Sequence, residues 1–213
     1  MAASRLDQEG GHHDDMVSPE GTRNTMQPLT PKDLWPLSVY EGVRDQFRKE
    51  VIAAKKDRRV QAGPEMTLVF ENRTTVKFQV QEILRIERIT DAAQIAEEVE
   101  GSNSMLPGPG ELSATLMIEL TGTDAEVKAR LAKLFGLRDH VWLEVAGTRL
   151  QGELEPNREE PGRVSSVQYV RFKVPDAQAL LRGPAAVVID HPAYTHRATL
   201  PEAVRRSLSQ DLS

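Results

Sequence analysis

The chain contains no cysteine among its 213 residues. That absence excludes disulfides, thiolate metal sites and a cysteine nucleophile, and it suits a reducing compartment. Aromatic residues make up only 5%, so packing must come mainly from Leu, Val, Ile and Ala. No apolar run approaches the roughly 18 residues of a membrane span. The N-terminus lacks the basic-then-apolar order of a secretory signal. A cytoplasmic location is the expectation. The net charge of −5 is unevenly placed. Asp7, Glu9, Asp14, Asp15 and Glu20 against Arg5 and Arg23 leave −3 on residues 1–29, and hence −2 on the rest. Neither value attracts nucleic acid or an anionic membrane, and neither is expected as a partner.

Signatures of common enzyme classes are missing too. The glycine-containing Asn103–Gly110 segment matches neither G-x-x-x-x-G-K-[ST] nor G-x-G-x-x-G. Ser113 and Ser166 lack the flanking glycines of a nucleophile elbow. No Glu-x-x-His accompanies the helix carboxylates, so the di-iron bundle pattern is absent. Nothing identifies a hydrolase, kinase or nucleotide enzyme, and whether the protein is an enzyme stays open.

What is present reads as one α+β domain over residues 30–213 behind a disordered tail, residues 1–29. The tail is polar and without apolar periodicity; its His12-His13-Asp14-Asp15 tract is at most a loose metal binder. Order begins at Thr30-Pro-Lys-Asp33, with a second helix cap expected at Ser38-Val-Tyr-Glu41. The helix after it carries Tyr40, Val43, Phe47, Val51 and Ala54 on one stripe. Its basic residues, through Lys55, Lys56, Arg58 and Arg59, read as a solvated face with a favourable C-terminus.

Met66–Phe70 reads as a short buried strand. In Glu71–Ile89, Val76, Val80, Ile83 and Leu84 share a helical face while Phe78 and Ile89 fall nearly opposite, the pattern of a sandwiched helix; the alternation of Val76, Phe78 and Val80 leaves a strand open for its first half. Thr90 is placed to cap a helix near Ala92–Glu100, stopped by Gly101. Leu112, Ala114, Leu116, Ile118 and Leu120 alternate with Ser113, Thr115, Met117 and Glu119, which predicts a strand with one face on a core. Thr123-Asp-Ala-Glu126 is a capping box, opening a helix with Val127, Leu131 and Leu134 buried. His140–Ala146 and Arg149–Glu155 form a hairpin across Gly147-Thr148. A charged loop near Pro156–Val164 leads to a strand near Ser166–Val174 and a short helix near Asp176–Arg182. The strand Ala185–Ile189 delivers DHPAYTH into a loop, and Thr199 caps a last helix with Val204 and Leu208. Strands adjacent in sequence favour a mainly antiparallel sheet, with helices concentrated in the N-terminal half.

Two constellations carry candidate chemistry. Glu82 lies on the Phe78/Ile89 side of the sandwiched helix and Glu87 on the Val76/Val80/Ile83 side. A buried carboxylate must be ion-paired, hydrogen-bonded or metal-bound, so the alternatives are an arginine partner such as Arg73, Arg85 or Arg88, or a metal or proton-transfer role. Asp190, His191, Tyr194 and His196 lie just past a strand end, where the histidines could ligate a metal and Tyr194 could donate a proton. Ordinary structural use is the competing reading for this loop.

The run LTPKDLWPLSVYEGVRDQFRKEVIAAKKDRRVQAGPEMTLVFENRTTVKFQVQEILRIERI resembles the start of a bacterial family known as domain of unknown function 3501. The likeness continues through LPGPGELSATLMIEL and IDHPAYTHRATL, from about Leu29 onward. It implies a setting beside rubrerythrin-like proteins and iron–sulfur oxidoreductases, in redox or peroxide defence. It also singles out Glu71, Asn72, Arg73, Gln79, Glu82, Arg85 and Glu87 from the first motif, with His191 and Tyr194 from the last. The leading expectation is therefore an accessory or binding protein beside an iron-dependent redox system. The alternative is a metal-dependent enzyme, with iron or another divalent metal held by Glu82, Glu87, His191 and His196. A shared neighbourhood of Glu82 and His191 is its geometric requirement.

Overall fold

The computed structural model describes residues 27–212. Most of the expected tail, including His12–Asp15, lies outside the described residues. Its last residue does not behave as tail: Leu29 is buried, and its backbone exchanges hydrogen bonds with the Asn103 side-chain amide, at 2.8 and 3.0 Å. A 3-10 turn over Pro31–Asp33 follows, with Thr30 and Asp33 in a reciprocal capping box.

Helix α1 (Leu37–Lys56) begins after Pro36. The expected cap at Ser38 is corrected by this start, because proline is suited to open a helix and places Ser38 inside the first turn. Tyr40, Phe47 and Val51 are buried along the expected stripe, whereas Val43 is exposed. The basic run does not stay on the helix. Arg59 opens a three-residue strand β1 (Arg59–Gln61), and Arg58 is buried against Asp211.

Strand β2 (Met66–Phe70) is buried at every position. Helix α2 (Arg73–Glu87) is helical throughout, so the strand alternative for its first half does not hold. Asn72 caps it by accepting from the Thr75 N–H at 3.0 Å. One face, with Val76, Val80 and Leu84, packs in a cluster with Leu29, Val99 and Leu106. On the other, Phe78 meets Phe47 of α1 at 5.7 Å between ring centres. The helix is sandwiched, with Phe78 on its second side; Ile89, expected beside Phe78, lies past the helix end and packs in the first cluster instead, because the left-handed Arg88 turns the chain back. Helix α3 (Ala92–Asn103) is capped by Asp91, whose side chain accepts from the N–H of Ala93 and Gln94. Thr90 is therefore not the cap, and Gly101 lies inside the helix rather than ending it.

Strand β3 (Glu111–Ile118) alternates as its sequence demands, with Leu112, Ala114, Leu116 and Ile118 buried. Helix α4 (Asp124–Ala132) opens on the predicted Thr123–Glu126 box. Strands β4 (Val141–Val145) and β5 (Thr148–Leu154) form a hairpin whose two-residue turn is Ala146-Gly147, one position earlier than expected. Both turn residues have positive φ, 47° and 85°, the geometry that matches strand twist in tight hairpins. The charged loop contains a minute hairpin of β6 (Glu159–Glu160) and β7 (Arg163–Val164). It leads to β8 (Val167–Lys173) and α5 (Ala179–Arg182).

The last motif is corrected most. DHPAYTH is not a loop but the hairpin joining β9 (Ala185–His191) to β10 (Tyr194–Thr199), with His191 paired to Tyr194 across Pro192-Ala193. Helix α6 (Glu202–Asp211) closes the fold after Pro201. The main sheet runs β1-β2-β3-β8-β5-β4-β9-β10, with every neighbouring pair antiparallel. It curls into a near-barrel around Leu68, Phe70, Leu116, Phe172, Leu143 and Ile189. The Tyr194 hydroxyl joins the two ends, donating to Ala62 C=O at 2.7 Å and accepting from Glu65 N–H at 3.1 Å. The observed class is α+β with an antiparallel sheet and helices mostly in the first half. Among the described residues no helix is long and apolar enough to cross a membrane.

Candidate functional site

The residues singled out by the sequence fall into separate settings. Glu82 sits between α1 and α2, where its carboxylate receives Arg44 through two nitrogens at 2.8 and 2.9 Å and Tyr40 at 2.8 Å. Arg85 adds two longer contacts at 3.3 Å. The Arg44 hydrogen bonds hold the Glu82 carboxyl down to about 2, aided by Tyr40 and Arg85 against the opposing effect of partial burial. Burial and the Glu82 carboxylate push the Tyr40 hydroxyl up. This is the ion-pair alternative, with Arg44 as the arginine the sequence did not name. Glu87 is exposed at the C-terminal end of α2, so its expected burial is corrected. Arg73 pairs with Asp33 at 2.5 Å, and Gln79 is half-buried on α2.

Strand alternation separates the last motif. His191 and Tyr194 share the inner face with His196, whereas Asp190 points outward. Asp190 accepts from Trp142 Nε1 at 3.0 Å and from Arg149 at 2.5 Å, and lies 3.1 Å from His140 Nδ1. Partial burial works upward on its carboxyl, but the bonds from Arg149, Trp142 and His140 hold it below the ordinary value. His191 has both ring nitrogens engaged. Nδ1 accepts from Ala193 N–H, so Nε2 carries the proton and donates to Phe135 C=O, both at 3.1 Å. Tyr194 is the seam latch described above, and burial raises its hydroxyl.

The metal-ligand set therefore does not fit its residues. Glu82 is saturated by cations and a phenol, His191 has no free nitrogen, and His196 packs its ring on Tyr194 at 4.5 Å. No hydrogen-bond partner is common to Glu82 and His191. Among the described residues, no group of three or more His, Asp or Glu is placed to hold an ion.

Glu71 has a different setting. It follows β2, and its N–H donates to Ser113 C=O at 2.8 Å, which docks it at the flank of β3. Register then builds two rows across the outer face of the sheet. Ser113 opposes Arg171 of β8, which opposes Glu153 of β5. One step along, Thr115 opposes Tyr169, whose carbonyl accepts from Glu155 N–H. The end of α3 and its following loop cover this patch, leaving a pocket of about 300 Å³. Arg171 clasps that cover, donating to the carbonyls of Ser104 and Leu106 while pairing with Glu111 at 3.1 Å.

Within this pocket Glu71 is 5% exposed. The hydroxyls of Thr75 and Thr115 bond its two oxygens at 2.5 and 2.7 Å. No cation among the described residues pairs with it. The other wall carboxylates are paired, Glu153 with Lys173 at 2.7 Å and Glu155 with Arg158 at 2.8 Å. Sequence patterning could reach Glu71 only through the family resemblance. Tyr169, Arg171, Glu153 and Glu155 were not distinguishable, because they reach Glu71 only through the pairing of β8 with β3, whose Ser113 and Thr115 lie more than 50 positions from their partners. The one local signal was the polar Ser113/Thr115 side of an otherwise apolar strand.

The family model described as a protein of unknown function (DUF3501) matches residues 28–212. A crystal structure of a novel protein of unknown function from Burkholderia pseudomallei K96243 is similar to this chain, with 34% identity and a TM-score of 0.81. It covers 88% of this chain and 100% of that one. No curated protein matches.

Proposed function

We propose, for a chain that belongs to the DUF3501 family of proteins of unknown function, that it acts as a binding or accessory protein whose ligand site is the Glu71 pocket. The observation that carries this reading is a buried carboxylate without a cationic partner among the described residues, in the wall of a pocket of about 300 Å³. Cavities of that size take small molecules, with a few polar groups fixing orientation in a mainly apolar lining. Met105, Pro156 and Tyr169 supply apolar wall, and Glu71 supplies the polar point.

The experiment is a small-molecule screen by thermal shift on wild type and on Ser104→Trp, which fills the pocket from its exposed edge. Compounds that stabilise wild type and not the variant support the site. Equal shifts in both, or none from any compound, would overturn it.

The cellular setting proposed with this reading is cytoplasmic, beside rubrerythrin-like or iron–sulfur redox proteins in an iron-dependent redox or peroxide-defence system. It rests on the family resemblance. Co-elution of the full chain with a purified rubrerythrin-like protein in size-exclusion chromatography tests it, and independent elution at tens of micromolar counts against it.

A further inference from the structure

We infer that the pocket takes a compact organic cation, a primary ammonium or guanidinium head on a short apolar body, with Glu71 as its counter-charge. This deepens the binding reading above and rests on it.

The charges around the pocket support that ligand class. Glu153 and Glu155 are matched by Lys173 and Arg158, and Arg171 is matched by Glu111. Glu71 is the most buried carboxylate of the wall and the one without a cation among the described residues. An ionised carboxylate removed from water needs a counter-charge or a full set of donors. Its protein donors are two, the hydroxyls of Thr75 and Thr115, one to each oxygen. A carboxylate offers about four acceptor positions, so each oxygen retains capacity for a further donor. A ligand head that brings several N–H donors and a positive charge answers both deficits.

Other classes fit less well. An anion would meet three carboxylates, with the single arginine of the wall already committed to Glu111 and two carbonyls. A neutral alcohol brings a donor but no charge. A bare metal ion lacks ligands, since no third His, Asp or Glu joins a cluster among the described residues. The body of the ligand must be short, because the cavity is about 300 Å³, and apolar where it meets Met105, Pro156 and Tyr169.

The test uses the full chain and three probes with one alkyl body and different heads: butylammonium, butanol and butyrate, with butylguanidinium as the guanidinium probe. Amide chemical shifts are followed by NMR at millimolar concentrations. Butylammonium and butylguanidinium are expected to move the amides of Met105, Ser113 and Arg171, and butanol and butyrate are not. Glu71→Gln keeps the shape and removes the charge, and should weaken the cations about tenfold to hundredfold, the worth of a charge-assisted hydrogen bond. If Glu71→Gln does not fold, Ser104→Trp must abolish the amine-induced shifts while leaving the rest of the spectrum in place. Butanol or butyrate moving those amides as strongly as butylammonium overturns the cation class and leaves the pocket as a binding site. No movement by either cation, while the wider screen yields neutral pocket binders, overturns the class in the same way. A screen without any pocket binder overturns the underlying binding reading itself.

Discussion

Arg58 and Asp211 lie 153 positions apart and form a buried ion pair in which one guanidinium nitrogen stands 2.6 Å from both carboxylate oxygens. Both side chains are under 5% exposed. The pair pins the last turn of α6 to the corner between α1 and β1. Removing one partner strands a buried charge, so Asp211→Ala should cost about 3–5 kcal/mol. The double replacement Arg58→Met/Asp211→Leu should recover most of that loss. Urea unfolding of the two variants and wild type measures both; a single-variant loss below about 1 kcal/mol would place the pair in solvent.

Glu82 makes stability depend on pH in the acid range. Its folded carboxyl is held at about 2 against an ordinary 4.5, chiefly by Arg44. Between those values the unfolded chain binds the proton more readily than the folded one. The stabilisation is thus complete above about 4.5 and is lost as pH falls towards 2. Glu82→Gln should be less stable than wild type at neutral pH, and the difference should shrink on acidification. A difference that stays constant from pH 6 to 3, by chemical denaturation, contradicts the ion-pair assignment.

The seam of the barrel can be probed at Tyr194 and Gly63. Tyr194→Phe removes a bond given to Ala62 and one received from Glu65, at a cost of about 1–3 kcal/mol. Hydrogen exchange at Glu65 should quicken most. Gly63 has φ +83°, and a Cβ there would approach His196 and the Tyr194 hydroxyl within 2.6 Å. Gly63→Ala combines left-handed strain with overpacking and should cost about 2–4 kcal/mol. A neutral Gly63→Ala in thermal unfolding would mean that the seam is open.

Leu116 is fully buried at the centre of β3. Leu116→Ala should lower stability by about 2–5 kcal/mol, the spread reflecting how far the barrel interior can close on the void. Thr115→Val, one residue along and on the opposite face, should leave the barrel core intact and act on the Glu71 pocket. Comparable unfolding losses in both variants would count against the face assignment.

Local periodicity made α2, β3 and the β4–β5 hairpin legible, because each buries a face whose spacing shows in a dozen residues or fewer. Tertiary pairing decided what was not legible. Strand β10 hid behind Pro192 and a run of polar residues, since an edge strand can keep one side in water and a proline is compatible with its turn. Arg58 looked like one more cation in a basic run, and only Asp211, at the far end of the chain, makes it a buried one. Glu82 was readable as a carboxylate in need of a partner; that its principal partner is Arg44 depends on how α1 lies against α2. The pocket was least visible, because Glu153, Arg171 and Ser113 become neighbours only through register between distant strands.

Strand β8 occupies the centre of that register, between β3 and β5. The β1–β2 and β4–β5 hairpins can each form from nearby contacts and β8 reaches β5 across one short charged loop, whereas β3 must find β2 across two helices and β8 across the intervening hairpin. Pairings of this kind slow folding to milliseconds or seconds, because loop entropy is lost before the contacts compensate. The joining of β1–β2–β3 to β5–β4–β9–β10 thus waits on one strand, and that strand also carries Tyr169 and Arg171. The Glu71 pocket cannot exist in a half-folded chain, so a ligand of the proposed kind would act as a kinetic brake on unfolding at the strand that joins the two parts of the sheet.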